Sequence, residues 1–130
     1  MKKYLFCLFI VAALLTASLS VAAQDEGTYS DQLVIYVTSK PLGTNQFHIL
    51  GQNALAVLEA EYGVQTDTYQ SENDPTNREE NIRAAVNSGA NIIYVLGTEW
   101  EDIVPQVASE NPDVDFLIAD QCVAEQLPNI

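Results

Sequence analysis

The chain has 130 residues, with 18 acidic against five basic side chains and a formal charge of −13. That balance leaves no basic face to neutralise nucleic-acid phosphates or to settle on an anionic membrane. Lys2 and Lys3 precede a continuous apolar run, Tyr4 to Leu15, and Val21-Ala22-Ala23 supplies small residues. This is the layout of a secretory signal peptide over residues 1–23. Its apolar run is too short and wrongly flanked for a retained membrane span. Cys7 lies inside that run, outside the small-residue context of a lipoprotein site.

Cleavage after Ala23 leaves 107 residues, a formal charge of −15, and Lys40, Arg78 and Arg83 as the cations. A chain of that length can bury one small core. Cys122 is then left without a partner for an intramolecular disulfide and reads as a partly buried thiol near a strand end. His48 is the single histidine. These counts argue against a zinc site of the His and Cys type and against a Cys–His catalytic pair.

Residues 24–32 are polar and acidic and read as a flexible N-terminus. Leu33 to Thr38 is apolar and β-branched without polar alternation, which suits a strand covered on both faces. The loop from Ser39 to Asn45 contains Pro41 and Gly43. Phe47, Leu50, Ala54, Leu55, Leu58 and Tyr62 then recur at helical spacing, and Gly63 ends the helix. Val64 to Tyr69 alternates and is more polar, so it predicts a strand nearer the sheet edge. Ser71 to Pro75 breaks the chain, with Asp74 as cap and Pro75 as the first residue of a helix to about Ser88. That helix buries Ile82, Ala85 and Val86, and sets Arg78 and Arg83 among Glu79 and Glu80 on a solvated face with weak ion pairs. Asn91 to Leu96 predicts a central strand, Glu99 to Glu110 a third helix with Pro105 inside it, and Val114 to Ala119 a fourth strand, also expected to lie centrally, ending on Asp120. Strand and helix alternate with short connections. The fold class is therefore α/β, a three-layer parallel sheet of the flavodoxin-like kind, over residues 33–130.

No nucleophile elbow, phosphate-binding glycine loop or metal-ligand spacing stands in the sequence. It predicts no catalytic residue, cofactor or metal. Glu99, Glu101 and Asp102 open a helix, where acids are favoured by the helix dipole alone. In doubly wound sheets ligands lie beyond the carboxyl ends of the strands. There the sequence places Ser39, Asn45, Phe47 and His48 after the first strand, Gly97, Thr98 and Trp100 after the third, and Asp120 with Gln121 after the fourth. Aromatic faces, amides, hydroxyls and one carboxylate suit a neutral polyhydroxylated or heteroaromatic ligand. For Phe47 and Trp100 the competing role is core packing, and for Asp120 it is a turn cap.

The segments VTSKPLGTNQFHILGQNAL, YQSENDPTNREENIRAAVNSGANIIYVLG and VASENPDVDFLIAD, in that order, resemble the basic membrane protein family. These are substrate-binding proteins of ABC transporters similar to purine-nucleoside receptors. The resemblance covers the chain from Leu33 onward. It implies a type I periplasmic-binding-protein lobe, a nucleoside-like ligand, a membrane permease as partner and an extracytoplasmic location. Carried over, Phe47 is the aromatic that stacks on a base, and Asp120 is a polar contact. Ser39 and Thr44 stand where the family often has an acid, and His48 replaces an Asn. Family members have about twice the length, with two lobes closing on the ligand, so the sequence reads as an N-terminal lobe of a truncated frame. An enzyme on the same scaffold and an isolated secreted lobe without a small ligand are the competing readings.

Overall fold

The structure, a computed structural model, describes residues 28–124 and 127–130. The predicted signal peptide, residues 1–23, lies outside the described residues. Four parallel strands, β1 (Leu33–Thr38), β2 (Gln65–Gln70), β3 (Ile92–Leu96) and β4 (Asp115–Ala119), form one sheet in the order β2-β1-β3-β4. Three helices connect them, α1 (Gln46–Tyr62), α2 (Pro75–Asn87) and α3 (Ile103–Glu110). The α/β parallel architecture expected from the alternating pattern is the one the chain adopts. The winding direction reverses between β1 and β3, so the loops after these two strands diverge and leave a crevice at their carboxyl ends.

The apolar runs of β1 and β3 are explained by burial on both faces. Ile35 and Val37 point into a core with Ile82 and Ala85 of α2, Val104 and Val107 of α3, and Trp100. Val34 and Tyr36 point the other way, into a smaller cluster with Leu55 of α1 and Leu96. The polar β2 stands at one edge, as its alternation predicts. β4 stands at the other edge among the described residues, not centrally, and its Leu117 is 56% exposed. Apolar character alone could not distinguish the two positions.

Local signals set most boundaries. Gly63 closes α1 in the left-handed conformation (φ 68°), its N–H bonded to Glu59 O at 3.1 Å. Asp74 caps α2 by accepting from Thr76 N at 2.8 Å, with Pro75 in the first turn. The predicted third helix divides in two: Thr98–Trp100 makes a 3-10 turn, and α3 starts only at Ile103. Pro105 is the third residue of α3, within the first turn, where an amide has no intrahelical partner to lose. Arg83 pairs with Glu79 at 2.9 Å and Glu110 at 2.6 Å, an exposed bridge from α2 to α3.

Two segments are better anchored than their composition suggests. Tyr29 N donates to Tyr62 O at 3.0 Å and Gln65 N to Gln32 O at 2.9 Å, so the described part of the predicted flexible N-terminus is tied to α1 and β2. At the other end Asn129 is buried. Its side-chain amide donates to Ala108 O, Asn111 O and Val114 O at 3.2, 3.2 and 2.9 Å, while its backbone carbonyl accepts from Phe116 N at 2.8 Å. Cys122, expected partly buried, is exposed in the irregular segment after β4.

Helix α1 departs most from expectation. The periodic apolar stripe points to Phe47, Leu50 and Tyr62 as inward-facing, yet these are 39%, 64% and 47% exposed. The buried positions are His48, Gly51 and Leu55. Gly51 explains the rotation: a Cβ there would stand 2.6 Å from Leu96 Cδ1 and 2.8 Å from both Cζ and the hydroxyl oxygen of Tyr36. The helix meets the sheet at a glycine, and its face is set by that contact.

Gly51→Ala should therefore lower stability in chemical denaturation by up to about 2 kcal/mol. Overpacking of about 1–3 kcal/mol is offset in part by about 1 kcal/mol of helix propensity. Gly43→Ala, whose Cβ would meet nothing within 4 Å, should change stability by less than about 0.5 kcal/mol. Equal effects of the two would refute the close-contact account.

Candidate ligand-binding site

The strand ends of β1 and β3 carry a connected polar cluster. Thr38 and Ser39 are fully buried at the end of β1. The carbonyl of Ser39 accepts from Asn73 N at 2.8 Å, and that of Thr38 from Ser71 N at 3.0 Å, so the turn before α2 clamps this strand end. Glu72 and Asn73 in that turn have φ of 50° and 66°. Asn tolerates the left-handed region and Glu does so at a cost of about 1–2 kcal/mol.

His48, 3% exposed in the first turn of α1, reaches back to the same place. Its Nδ1 lies 3.0 Å from the Tyr36 hydroxyl, and its Nε2 lies 3.5 Å from Ser39 Oγ. Ser39 Oγ in turn donates to Glu99 Oε1 at 3.3 Å. One tautomer, with the proton on Nε2, lets each group donate once: Tyr36 to His48, His48 to Ser39, and Ser39 to Glu99. The relay runs from the middle of the core to a carboxylate at the surface.

Glu99 belongs to the 3-10 turn that follows β3. Its Oε1 is 3.5 Å from Lys40 Nζ, across the crevice on the loop after β1, with the two side chains 28% and 43% exposed. Gly97 makes room for it. At φ 100° this position disfavours any side chain, and a Cβ would stand 2.5 Å from Glu99 Oε2. Burial by itself would raise the Glu99 carboxyl, but its own backbone N–H, Lys40 and Ser39 outweigh that and hold it below the usual range. Burial pushes the Tyr36 hydroxyl well above its ordinary value, and Tyr94 adds to the shift. The Tyr94 ring stacks on that of Tyr36 at 5.1 Å. Burial also dominates at His48 and lowers its imidazole; Glu99 opposes the shift and Lys40 adds to it.

The candidate residues named from the sequence divide accordingly. Ser39, His48 and Gly97 lie in the cluster. Phe47, 39% exposed at the start of α1, is set edge-on to the His48 ring with centroids 6.0 Å apart. Asn45 caps α1 by accepting from Phe47 N at 3.0 Å. Thr98 is exposed at the start of the 3-10 turn. Asp120, exposed with φ 64°, follows β4, whose last carbonyl at Ala119 accepts from Gly97 N at 3.1 Å. Trp100 does not line the crevice. It is fully buried in the core, with its indole N–H bonded to Leu96 O at 2.9 Å, and offers no face for stacking.

Glu99, Lys40 and Tyr36 are absent from the sequence-derived set. Glu99 looked like a helix-opening acid and Tyr36 like an ordinary core residue. The one available signal was Gly97, two residues ahead of a carboxylate at a strand end. Among the described residues no three His, Cys, Asp or Glu side chains come together to hold a metal, and no helix is long and apolar enough to cross a membrane.

The depressed imidazole sets a stability window. In the unfolded chain His48 takes a proton below about pH 6.5; in the folded chain it resists doing so. Its contribution is thus complete above that pH and lost as pH falls through the lower, folded value. Between pH 7 and 5, wild type should lose stability to denaturant faster than His48→Gln. Parallel pH profiles would show that His48 is not held neutral.

Comparisons place this geometry among known proteins. A solute-binding protein of an ABC transporter system from Aeropyrum pernix K1 matches with 20% identity and a TM-score of 0.68, over 75% of this chain and 27% of its own. A fragment of a protein described as a lipoprotein, from Peptoclostridium difficile 630, matches with 22% identity and a TM-score of 0.66, over 76% of this chain and 81% of its own. A solute-binding protein from Conexibacter woesei DSM 14684 matches with 27% identity and a TM-score of 0.59, over 65% of this chain and 28% of its own. The chain thus spans little more than a quarter of the two solute-binding proteins. No curated protein sequence matches it. The family model for ABC transporter substrate-binding proteins similar to PnrA, named Bmp, matches residues 34–130. The chain belongs to that family of PnrA-like ABC transporter substrate-binding proteins.

Proposed function

We propose that this chain is the ligand-binding lobe of an exported ABC-transporter receptor, which takes a neutral nucleoside-like ligand at the strand ends of β1 and β3 and presents it to a membrane permease. The observation that carries this reading is the juxtaposition at the winding reversal. A partly exposed aromatic ring, Phe47, and a carboxylate, Glu99, follow the two strands at the reversal; the ring packs edge-on against His48, and the carboxylate accepts from Ser39, which His48 and Tyr36 back from the core. A ring to stack on and acceptors to hold hydroxyls are the two needs of a nucleoside site. Asn45, Gly97, Thr98 and Asp120 form its rim. The family supports binding and delivery as the activity, with no bond chemistry assigned to the lobe. The apolar run preceding Ala23 supports export.

A thermal-shift panel of nucleosides on the full chain tests this. Ligand at 100 times its dissociation constant adds about 2.7 kcal/mol to the folded state and should raise the melting temperature measurably. Phe47→Ala should abolish the shift while leaving the unliganded melting temperature close to wild type, because that ring is exposed. A panel without any shift, up to millimolar nucleoside, would refute the reading.

A further inference from the structure

Independently of what the crevice binds, we propose that His48 is a proton-operated latch: neutral, it pins the first two turns of α1 to the end of β1; protonated, it leaves the core and frees them. The latch follows from what α1 buries. Its buried positions are His48, Gly51 and Leu55. Gly51 has no side chain, so His48 is the one buried side chain that α1 inserts before Leu55. Its neighbours Phe47 and Leu50 are 39% and 64% exposed. Asn45 caps the helix's own amides, Phe47 N through its side chain and Ile49 N through its carbonyl. The start of α1 is therefore held in the core by one imidazole.

A count of protons shows why charge releases it. Three links join Tyr36, His48, Ser39 and Glu99 in a row. With His48 neutral the row holds three protons, on the Tyr36 hydroxyl, Nε2 and the Ser39 hydroxyl, one for each link. A further proton on Nδ1 sets two donors face to face across the 3.0 Å gap to the Tyr36 hydroxyl. That hydroxyl is fully buried, close against Gly51, and His48 is its single hydrogen-bond partner among the described residues. Turned away from the imidazolium, its proton meets no acceptor, and an unsatisfied buried donor is costly. The titratable and charged groups around the imidazole are Tyr36 on β1, backed by the Tyr94 ring of β3, Lys40 on the loop after β1, and Glu99 on the turn after β3. Burial opposes the imidazolium most strongly, Glu99 favours it, and Lys40 opposes it. In solvent the conflict with Tyr36 disappears. Once the imidazole leaves, Ser39 loses its backing, so the crevice is assembled near neutral pH and loosened in acid.

The test is nuclear magnetic resonance on the full chain without ligand, where the single histidine gives one imidazole signal. At pH 7.5 its nitrogen shifts should report the tautomer with the proton on Nε2. Amide exchange is then followed from pH 7.5 to 5, as protection relative to an unstructured chain at each pH. The latched state has the lower imidazole pKa, so its advantage falls as pH drops from about 6.5 to that lower value. Over that span the amides of residues 46–53 should lose protection about tenfold per pH unit, the effect of one proton. The α2 amides, held by the Asp74 cap and an apolar face, should keep theirs. Lys40→Gln, an exposed change, should move the loss to higher pH, and His48→Gln should make α1 protection independent of pH. A proton on Nδ1 instead, α1 and α2 protection falling in parallel, or a pH-dependent α1 in His48→Gln overturns the latch. None of these outcomes bears on the nucleoside reading, which the thermal-shift panel tests separately.

Discussion

The hydrogen bond between the Tyr36 hydroxyl and His48 Nδ1 ties the site to the fold. Tyr36 is a fully buried residue in a central strand, and a buried phenol needs a partner or costs about 1–3 kcal/mol. Its partner is a histidine on α1, and the two can meet only because Gly51 lets the helix lie close upon the ring. Satisfying one core hydroxyl thus fixes the rotation of α1, the position of His48 and, through Ser39, the carboxylate of Glu99. The exposed ring of Phe47 follows from the same rotation. Had the larger apolar residues of α1 faced the sheet, His48 would have pointed away from the strand end.

The remaining structure divides cleanly between support and display. On the side of α2 and α3, packing is apolar and dense around Ile35, Val37, Ile93, Val95 and Trp100. On the side of α1 the cluster is smaller and ends in polar groups. The turn before α2, with its left-handed Glu72 and Asn73, donates its amides to the end of β1 and holds Ser39 in place. Strain of this kind persists where the surroundings over-determine it, and here those surroundings adjoin the crevice. The arrangement is stiff behind and open in front, which suits recognition by a prepared surface.

Much of this architecture was legible from residue patterns. The unbroken apolar runs of β1 and β3, the cap at Asp74 with Pro75, and the terminating Gly63 each correspond to a single local cause. The misplacements are equally physical. The stripe on α1 misled because periodicity counts apolar residues, whereas the helix orientation was decided by a glycine contact 45 residues distant in sequence, between Gly51 and Leu96. β4 was placed centrally because an edge strand and a central one can share the same composition. At the site, Ser39, His48 and Gly97 followed from position at strand ends. Glu99 was hidden by the ordinary preference of acids for helix starts, and Trp100 was drawn in by proximity in sequence to a loop it turns its back on.

The inward-facing Trp100 has one further use. It is the single tryptophan of the chain, it is wholly removed from solvent, and its neighbour in sequence is Glu99. Its emission is therefore an intrinsic reporter with one origin and no background from other indoles. In the intact core the indole sits in an apolar setting and should emit towards the blue, shifting to the red as water enters. Because the backbone that carries it also carries the proposed ligand carboxylate, the same signal offers an optical handle on movement at the mouth of the crevice without any attached dye.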